Sequence, residues 1–412
     1  MNYRLKLLRL GALGMILISG CAPTTADAGG DNSVADTSTI AAGKYLAAAG
    51  DCAACHTTPG GAPFAGGVVI NTPFGKLLGS NITPDQATGI GGWSDKQFVA
   101  ALKYGVGHNG ARLYPGMPYI YFNKVPAAEL IKIHAYLETI PPVRNHVVSN
   151  QLPFPFDIRL SMRGWNLLFF PDTGDYQNDA SQSAQWNRGA YLVQGLGHCA
   201  ACHTSKNFLG GDHTGQELQG AVIENANAPD LVEDPHNGLT AWSASDIATY
   251  LKTGHNRFAG AAGPMAEVVA ISTSQLTMAD DTAIGVYLKS LPPSGVSAPA
   301  PVAANDPAML AGGHIYADEC AACHNDAGTG EALLFPALKA SPVVQAPNPV
   351  TMLGLIIHGG QTVGTPAAGA AAMPAFGAEL DDQQIADVAT YIRNSWGNAG
   401  SVIDVDNIPA RK

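Results

Sequence analysis

The sequence predicts a mainly α-helical chain built from three tandem units with long loops. Three observations carry that prediction. The five letters Cys-Ala-Ala-Cys-His occur at 52–56, again at 199–203 and again at 320–324. Each copy follows a stretch of helical periodicity and is followed, after a long irregular segment, by another. The 47 Gly and 28 Pro among 412 residues are too many for continuous helix, so loops must separate the helices. A chain of this length also suits about three domains of ordinary size.

The first unit, 39–142, opens on the pattern Ile40 to Leu46 and closes on Ala128 to Ile140. There Leu130, Ile133, His134 and Leu137 recur at helical spacing before Pro141-Pro142 stop the helix. The second, 184–293, has the same plan: Arg188 to Leu192 leads to Cys199, and Asp280 to Leu291 ends at Pro292-Pro293. The third, 306–397, opens at Ala311 to Tyr316 and ends on Gln383 to Trp396, leaving 398–412 as a C-terminal tail. A glycine near each first helix and an aromatic in each last helix (Tyr136, Tyr287, Tyr391) predict that the two helices of a unit cross closely.

The connectors differ. Residues 294–305 are a Pro/Ala-rich, semi-extended linker. Residues 143–183 include Pro153-Phe154-Pro155-Phe156 and the run Arg159 to Phe170, apolar and aromatic beside two arginines. Such a segment either lies at a membrane interface or packs as a strap between the first two units.

The repeated motif is chemically specific. Two thiols separated by two residues can each add to a haem vinyl group, and the adjacent histidine then sits beneath the iron. A zinc site would need four ligands, and no second Cys or His cluster accompanies each copy. The expectation is three covalently bound haem c groups, attached through Cys52 and Cys55, Cys199 and Cys202, and Cys320 and Cys323, with His56, His203 and His324 as proximal iron ligands. The candidate sixth ligands are Met117, Met265 and Met373, lying 61, 62 and 49 residues after those histidines. Each stands beside a proline expected to stiffen a loop aimed at the haem. His108, His134, His255 and His358 are the rival ligands, expected instead to be packed, exposed or supporting. A thioether ligand raises the reduction potential relative to a second imidazole. Trp93 and Trp242, each just before a helix, are either core residues or donors to a haem propionate.

Six of the seven cysteines belong to the motifs, which leaves Cys21. Arg4, Lys6 and Arg9, a short apolar run from Leu10 to Ile18, and Ile18-Ser19-Gly20-Cys21 resemble a bacterial lipobox. The resemblance implies a signal peptide over 1–20, acylation of Cys21, and a flexible tether over 21–38; an ordinary signal cleaved slightly later is the alternative. The apolar run is too short to span a bilayer. The formal charge of −11, nearer −14 once the three basic leader residues are removed, excludes a nucleic-acid binder. With 13% charged and 46% hydrophobic residues, the chain is expected to bury surface against a partner, a membrane or a large haem-lined core.

Each unit resembles a class I cytochrome c domain. Ser80-Asn81-Ile82-Thr83-Pro84-Asp85, Tyr114-Pro115-Gly116-Met117-Pro118-Tyr119 and Trp165-Asn166-Leu167-Leu168-Phe169 extend the likeness over nearly the whole mature chain. It is similar to the triple-haem cytochrome c subunit of bacterial membrane-bound dehydrogenases acting on alcohols, aldehydes, gluconate or sorbitol. The resemblance implies a non-catalytic electron-transfer subunit on the periplasmic face of the inner membrane. Its partners would be a flavoprotein or quinoprotein dehydrogenase and ubiquinone. No dinucleotide-binding motif is present. Two other readings stay open: a multihaem peroxidase, which would need one five-coordinate iron and for which the second unit is the candidate because Met265 has the weaker context and Glu267, His255 and Arg257 lie near in sequence, and a standalone lipid-tethered carrier.

Overall fold

The computed structural model describes residues 36–148, 150–223, 226–365 and 371–410. Cys21, the leader and most of the expected tether fall outside them. The described part of that tether is already helical: the Asp36 side chain accepts from the Thr39 amide at 2.7 Å and caps the first helix.

The element order repeats three times. The first set is α1 (Thr37–Ala49), α2 (Cys52–His56), the hairpin β1 (Val69–Thr72) and β2 (Gly75–Leu78), α3 (Asp95–Tyr104), α4 (Tyr119–Phe122) and α5 (Ala127–Leu137). The connector adds α6 (Ser161–Phe169). The second set is α7 (Ala184–Tyr191), α8 (Ala200–His203), the pair β3 (Ala221–Ile223) and β4 (Ala226–Ala228), α9 (Ala244–Thr253), α10 (Pro264–Ile271) and α11 (Met278–Leu288). The third is α12 (Pro307–Ile315), α13 (Ala321–His324), α14 (Pro342–Gln345), α15 (Val350–His358), the pair β5 (Gly360–Gln361) and β6 (Ala372–Met373), and α16 (Asp382–Asn394). Capping boxes start α3 (Ser94 with Gln97), α9 (Ser243 with Asp246) and α16 (Asp381 with Gln384). Gly105 and Gly254, in left-handed conformation, end the first two of these helices.

The first and last helices of each set cross where the sequence places a glycine. A Cβ on Gly43 would lie 1.9 Å from the Lys132 carbonyl oxygen and 2.9 Å from Tyr136 Cβ. On Gly189 it would meet Ala283 O at 1.9 Å and Tyr287 Cβ at 2.9 Å, and on Gly312 it would meet Asp387 O at 2.1 Å and Tyr391 Cβ at 2.8 Å. The same register recurs each time, with a carbonyl one helical turn before the tyrosine. Backbone is therefore packed against backbone, which no larger residue allows.

The number of residues from that glycine to the first cysteine is not constant: Cys52, Cys199 and Cys320 follow it by nine, ten and eight residues. The path between them differs too: π-helical turns at Leu192–Leu196 and Tyr316–Cys320 lead into the second and third motifs.

Three sequence units form two cores, not three. Leu46, Phe98, Leu130, Ile133 and Leu137 of the first set share one buried cluster with Leu192, Leu196, Trp242, Ile284 and Leu288 of the second. The third set has its own, around Leu353, Ile385, Val388 and Ile392. The physical reason is a reciprocal interface between the first two sets. Tyr45 on α1 donates to Asp280 in the first turn of α11 at 2.6 Å, and its counterpart Tyr191 on α7 donates to Glu129 in the first turn of α5. Helix α10 packs on α2, and in return α4 packs on the π-turn leading to Cys199. The arrangement is that of an isologous dimer whose two halves are covalently joined.

The third set attaches to the second through polar contacts and tight approaches at Gly254 and Gly260. Gln345 Nε2 donates to His236 O at 2.6 Å, the Asn227 amide donates to Thr351 Oγ1 at 2.6 Å, and Val363 packs against Gly254. Residues 398–408, expected as a tail, return onto α16: the Ile403 amide donates to Thr390 Oγ1 at 2.9 Å and Asn398 is buried. Among the described residues no helix is long and apolar enough to cross a membrane.

Gly189→Val, placing a branched side chain into the Ala283 carbonyl, is expected to destabilise the protein by about 1–3 kcal/mol or more. The check is the midpoint of chemical denaturation, followed by far-ultraviolet circular dichroism, against wild type.

Candidate functional site

Each Cys-Ala-Ala-Cys-His stretch is a single helical turn entered by an irregular step. The residues before the first two copies, Asp51 and His198, have positive φ of 51° and 40°, so the chain reverses just ahead of the first cysteine. No disulfide joins any of the six motif cysteines. Burial pushes Cys52 and Cys199 up to about 12 and Cys55 and Cys320 up to about 11. A thioredoxin-like pair works through a depressed thiol pKa, and these environments act in the opposite direction. Among the described residues no group of three or more His, Cys, Asp and Glu is gathered as a metal cluster.

The three motif histidines share one hydrogen bond. His56 Nδ1 lies 2.6 Å from the Ser80 carbonyl, His203 Nδ1 2.8 Å from the Pro229 carbonyl, and His324 Nδ1 2.9 Å from the Pro336 carbonyl. A carbonyl only accepts, so Nδ1 carries the proton and donates, and Nε2 keeps its lone pair. Burial lowers the pKa of all three rings, opposed by that carbonyl bond, which favours the neutral imidazole that ligates iron. In the first set the acceptor strand comes so close that a Cβ on Gly79 would lie 1.6 Å from the Cys55 carbonyl oxygen.

The three methionines border the same cores as the motifs. Met117 and Met265 pack against the shared core along with Cys52 and Cys199, and Met373 packs against the third set's core along with Cys320. Only Met117 stands in a turn; Met265 lies in the first turn of α10 and Met373 in β6, so the expected proline-stiffened loop describes one of three. A Gly-Pro step starts α10 and replaces the loop as the device that aims Met265.

The rival histidines lie elsewhere. His108 and His358 are exposed. His134 is buried, stacked on Phe98 and bonded through Nδ1 to Asp95 at 2.7 Å. His255 is buried with its Nε2 3.3 Å from Val363 O, at the junction with the third set. Arg257 is paired with Asp246 and lies over the Phe258 ring. Glu267, on α10, faces Asp51 of the first set, where burial and then the Glu267 charge push the Asp51 carboxyl up to about 8. The three polar groups named for a peroxidase-like site are thus committed to different neighbours.

Trp242 carries a further sign of a bound group. It is buried, stacked on Phe258 with a 5.4 Å centroid separation, and its indole Nε1 has no hydrogen-bond partner. A buried donor without an acceptor is costly, and a haem propionate would satisfy it. Trp93, its counterpart, is only partly buried and lies against the His108 ring. Haem therefore fits the residues present: thiols in pairs, an oriented neutral imidazole, a thioether on the same core, and an orphaned buried donor.

Two lysines were not anticipated from the sequence. Lys103 Nζ donates to the Asn123 and Val125 carbonyls at 2.5 and 2.8 Å, and Lys252 Nζ donates to the Ser274 and Leu276 carbonyls at 2.6 and 2.5 Å. Each holds the segment that follows its set's methionine. The shared Lys-x-Gly spelling at Lys103–Gly105 and Lys252–Gly254 was the available signal.

This fold and these sites define a c-type cytochrome. The cytochrome c family pattern matches residues 309–396. The chain is 38% identical over 382 residues to the cytochrome c subunit of a quinone-type alcohol dehydrogenase from Gluconacetobacter polyoxogenes, covering 88% of this chain and 82% of that one. It is also 38% identical over 383 residues to a gluconate 2-dehydrogenase cytochrome c subunit from Pantoea cypripedii, covering 88% and 87%. A nicotinate dehydrogenase subunit from Pseudomonas putida is 40% identical over 365 residues, 86% of this chain, which spans only 30% of that longer protein. The chain belongs to the family of dehydrogenase cytochrome c subunits.

Trp242→Phe removes the orphaned donor and keeps the ring. The expected result in the haem-loaded protein is a shift of one midpoint potential by tens of millivolts, on the order of the 59 mV that corresponds to a tenfold change for one electron. Potentiometric titration of the haem absorbance is the check.

Proposed function

We propose that the chain is the triple-haem electron-transfer subunit of a dehydrogenase complex, with one haem c in each of three cytochrome c domains. The observation that carries the reading is the threefold recurrence of a Cys-Ala-Ala-Cys-His turn whose histidine is fixed through Nδ1 by a backbone carbonyl. Haem c, when bound, supplies a reversible one-electron iron couple. Cys52, Cys55, Cys199, Cys202, Cys320 and Cys323 would hold the groups by thioether bonds. His56, His203 and His324 would ligate on one side and Met117, Met265 and Met373 on the other. A fully ligated iron has no open position for substrate, which favours relay over catalysis.

The relay reading draws on the packing as well. The first motif helix is covered by α10 of the second set, and the π-turn that leads to the second motif is covered by α4 of the first. The third set meets the second at the segments just ahead of Met265 and Met373. Successive sets are thereby packed against one another along the chain, which suits a relay. By analogy with the relatives, electrons would enter from a flavoprotein or quinoprotein dehydrogenase oxidising an alcohol, aldehyde or sugar acid, and leave to ubiquinone. Acylation of Cys21 would hold the subunit on the periplasmic face of the bacterial inner membrane.

The direct test is gentle purification of the tagged protein from its native membrane, with haem content and co-purifying chains determined. Three haems per chain and a stoichiometric dehydrogenase whose substrate reduces all of them are expected; a lone chain whose haems stay oxidised would sink the subunit reading in favour of a separate carrier. Axial ligation is tested separately. Met117→His, Met265→His and Met373→His should each lower one midpoint potential and leave the other two nearly unchanged, whereas a methionine that merely packs would move none.

A further inference from the structure

The connector splits between the two roles its sequence allows. Its inner side is anchored: Trp165 of α6 is buried, its Nε1 donates to the Leu209 carbonyl at 2.9 Å, and Phe169 packs against Gly211. Its outer side inverts the usual pattern of a surface helix, in which the apolar stripe faces the core. Leu167 and Leu168 are 87% and 68% exposed, and Leu160, one residue before the helix, is 67% exposed.

The exposed apolar residues come from three chain segments gathered on this face. Phe154, 79% exposed, stands on the turn that precedes α6, where Phe156 packs its ring on Phe74 at 5.0 Å. Phe208, 87% exposed, tips the turn that Trp165 holds, and the neighbouring Gly210 lies against Phe74. Five large side chains thus project outward from a base that is itself rigidly packed. That is more apolar surface than scattered single exposures explain.

The charge around the patch is opposite in sign to the rest of the chain. Between residues 153 and 170 there are two arginines, Arg159 and Arg163, and one acid, Asp157, in a protein of net charge −11. The Arg159 guanidinium lies 4.8 Å over the Tyr114 ring and donates to the Arg112 carbonyl at 2.8 Å, which fixes it beside the patch.

We propose that this face, formed by α6 with the turns at Phe154 and Phe208, inserts into the headgroup and upper acyl region of an anionic phospholipid bilayer. Projecting Leu and Phe side chains flanked by arginine are the chemistry of an interfacial, non-spanning contact. The local positive charge in an acidic protein matches lipid phosphates. The contact is separate from acylation of Cys21 and does not depend on the number of haems.

The test uses the haem-loaded chain with Cys21→Ser, exported behind a cleaved signal, so that no lipid anchor contributes. Its co-sedimentation with vesicles of phosphatidylcholine containing phosphatidylglycerol is followed by haem absorbance, and compared with Leu167→Asp/Phe208→Asp. Both positions are so exposed that the substitutions leave the core intact, and an unchanged haem spectrum checks this. The parent is expected to pellet with the vesicles, less so with pure phosphatidylcholine, and the double variant to bind at least about tenfold more weakly. A parent that stays in the supernatant, or a variant that pellets equally, overturns the proposal. A variant that pellets equally but loses its co-purifying dehydrogenase assigns the face to protein contact instead.

Discussion

The close crossing of the first and last helix in each set governs the geometry of everything built upon it. Gly43, Gly189 and Gly312 let one backbone lie on another, so the start of each motif turn is fixed relative to the helix that closes the unit. Only then can a strand or loop further along deliver its carbonyl to the histidine Nδ1, and only then does the methionine segment reach the same core. The hydrogen bond from imidazole to carbonyl is short-range chemistry, but its geometry is inherited from a contact between helices distant in sequence.

The pairing of the first two sets is built from the same parts used twice. A tyrosine two residues after each crossing glycine reaches the third residue of the other set's last helix, an acid in both cases. In the third set the corresponding residues are His314, which is exposed, and Gln384, which is spent on a capping box. The third set thus lacks both halves of the pairing device, and it is joined to the second by side-chain-to-backbone hydrogen bonds and by close approach of neighbouring segments.

Much of this was legible in the sequence, for identifiable reasons. The motifs spell out covalent chemistry, and the closing helices carry strong apolar periodicity bounded by Pro-Pro, so Leu130, Ile133 and Leu137 were readable as core. The glycine-to-tyrosine crossing was readable because repetition exposed it. What escaped was set by contacts between residues far apart in the chain. Tyr45 and Asp280 show no mutual signal over 235 positions, so the fusion of two cores was invisible. The acceptors Ser80, Pro229 and Pro336 act through main-chain oxygens, which any residue supplies. Met265 was expected in a loop stiffened by the adjacent proline, whereas here that proline starts a helix. The stretch 159–170 was ambiguous because it carries apolar residues on two sides: Trp165 is packed, and Leu167 and Leu168 are exposed.

The division into two hydrophobic cores has a thermodynamic consequence. Cooperative melting follows shared buried surface, not sequence repeats. Helices of the first two sets contribute to one cluster, so the first two units gain and lose their order together, and neither is a separate folding block. The third unit, closed on its own cluster and joined through polar contacts, can open without unravelling its neighbours. A chain with three motifs is, in its cooperativity, a protein of two parts.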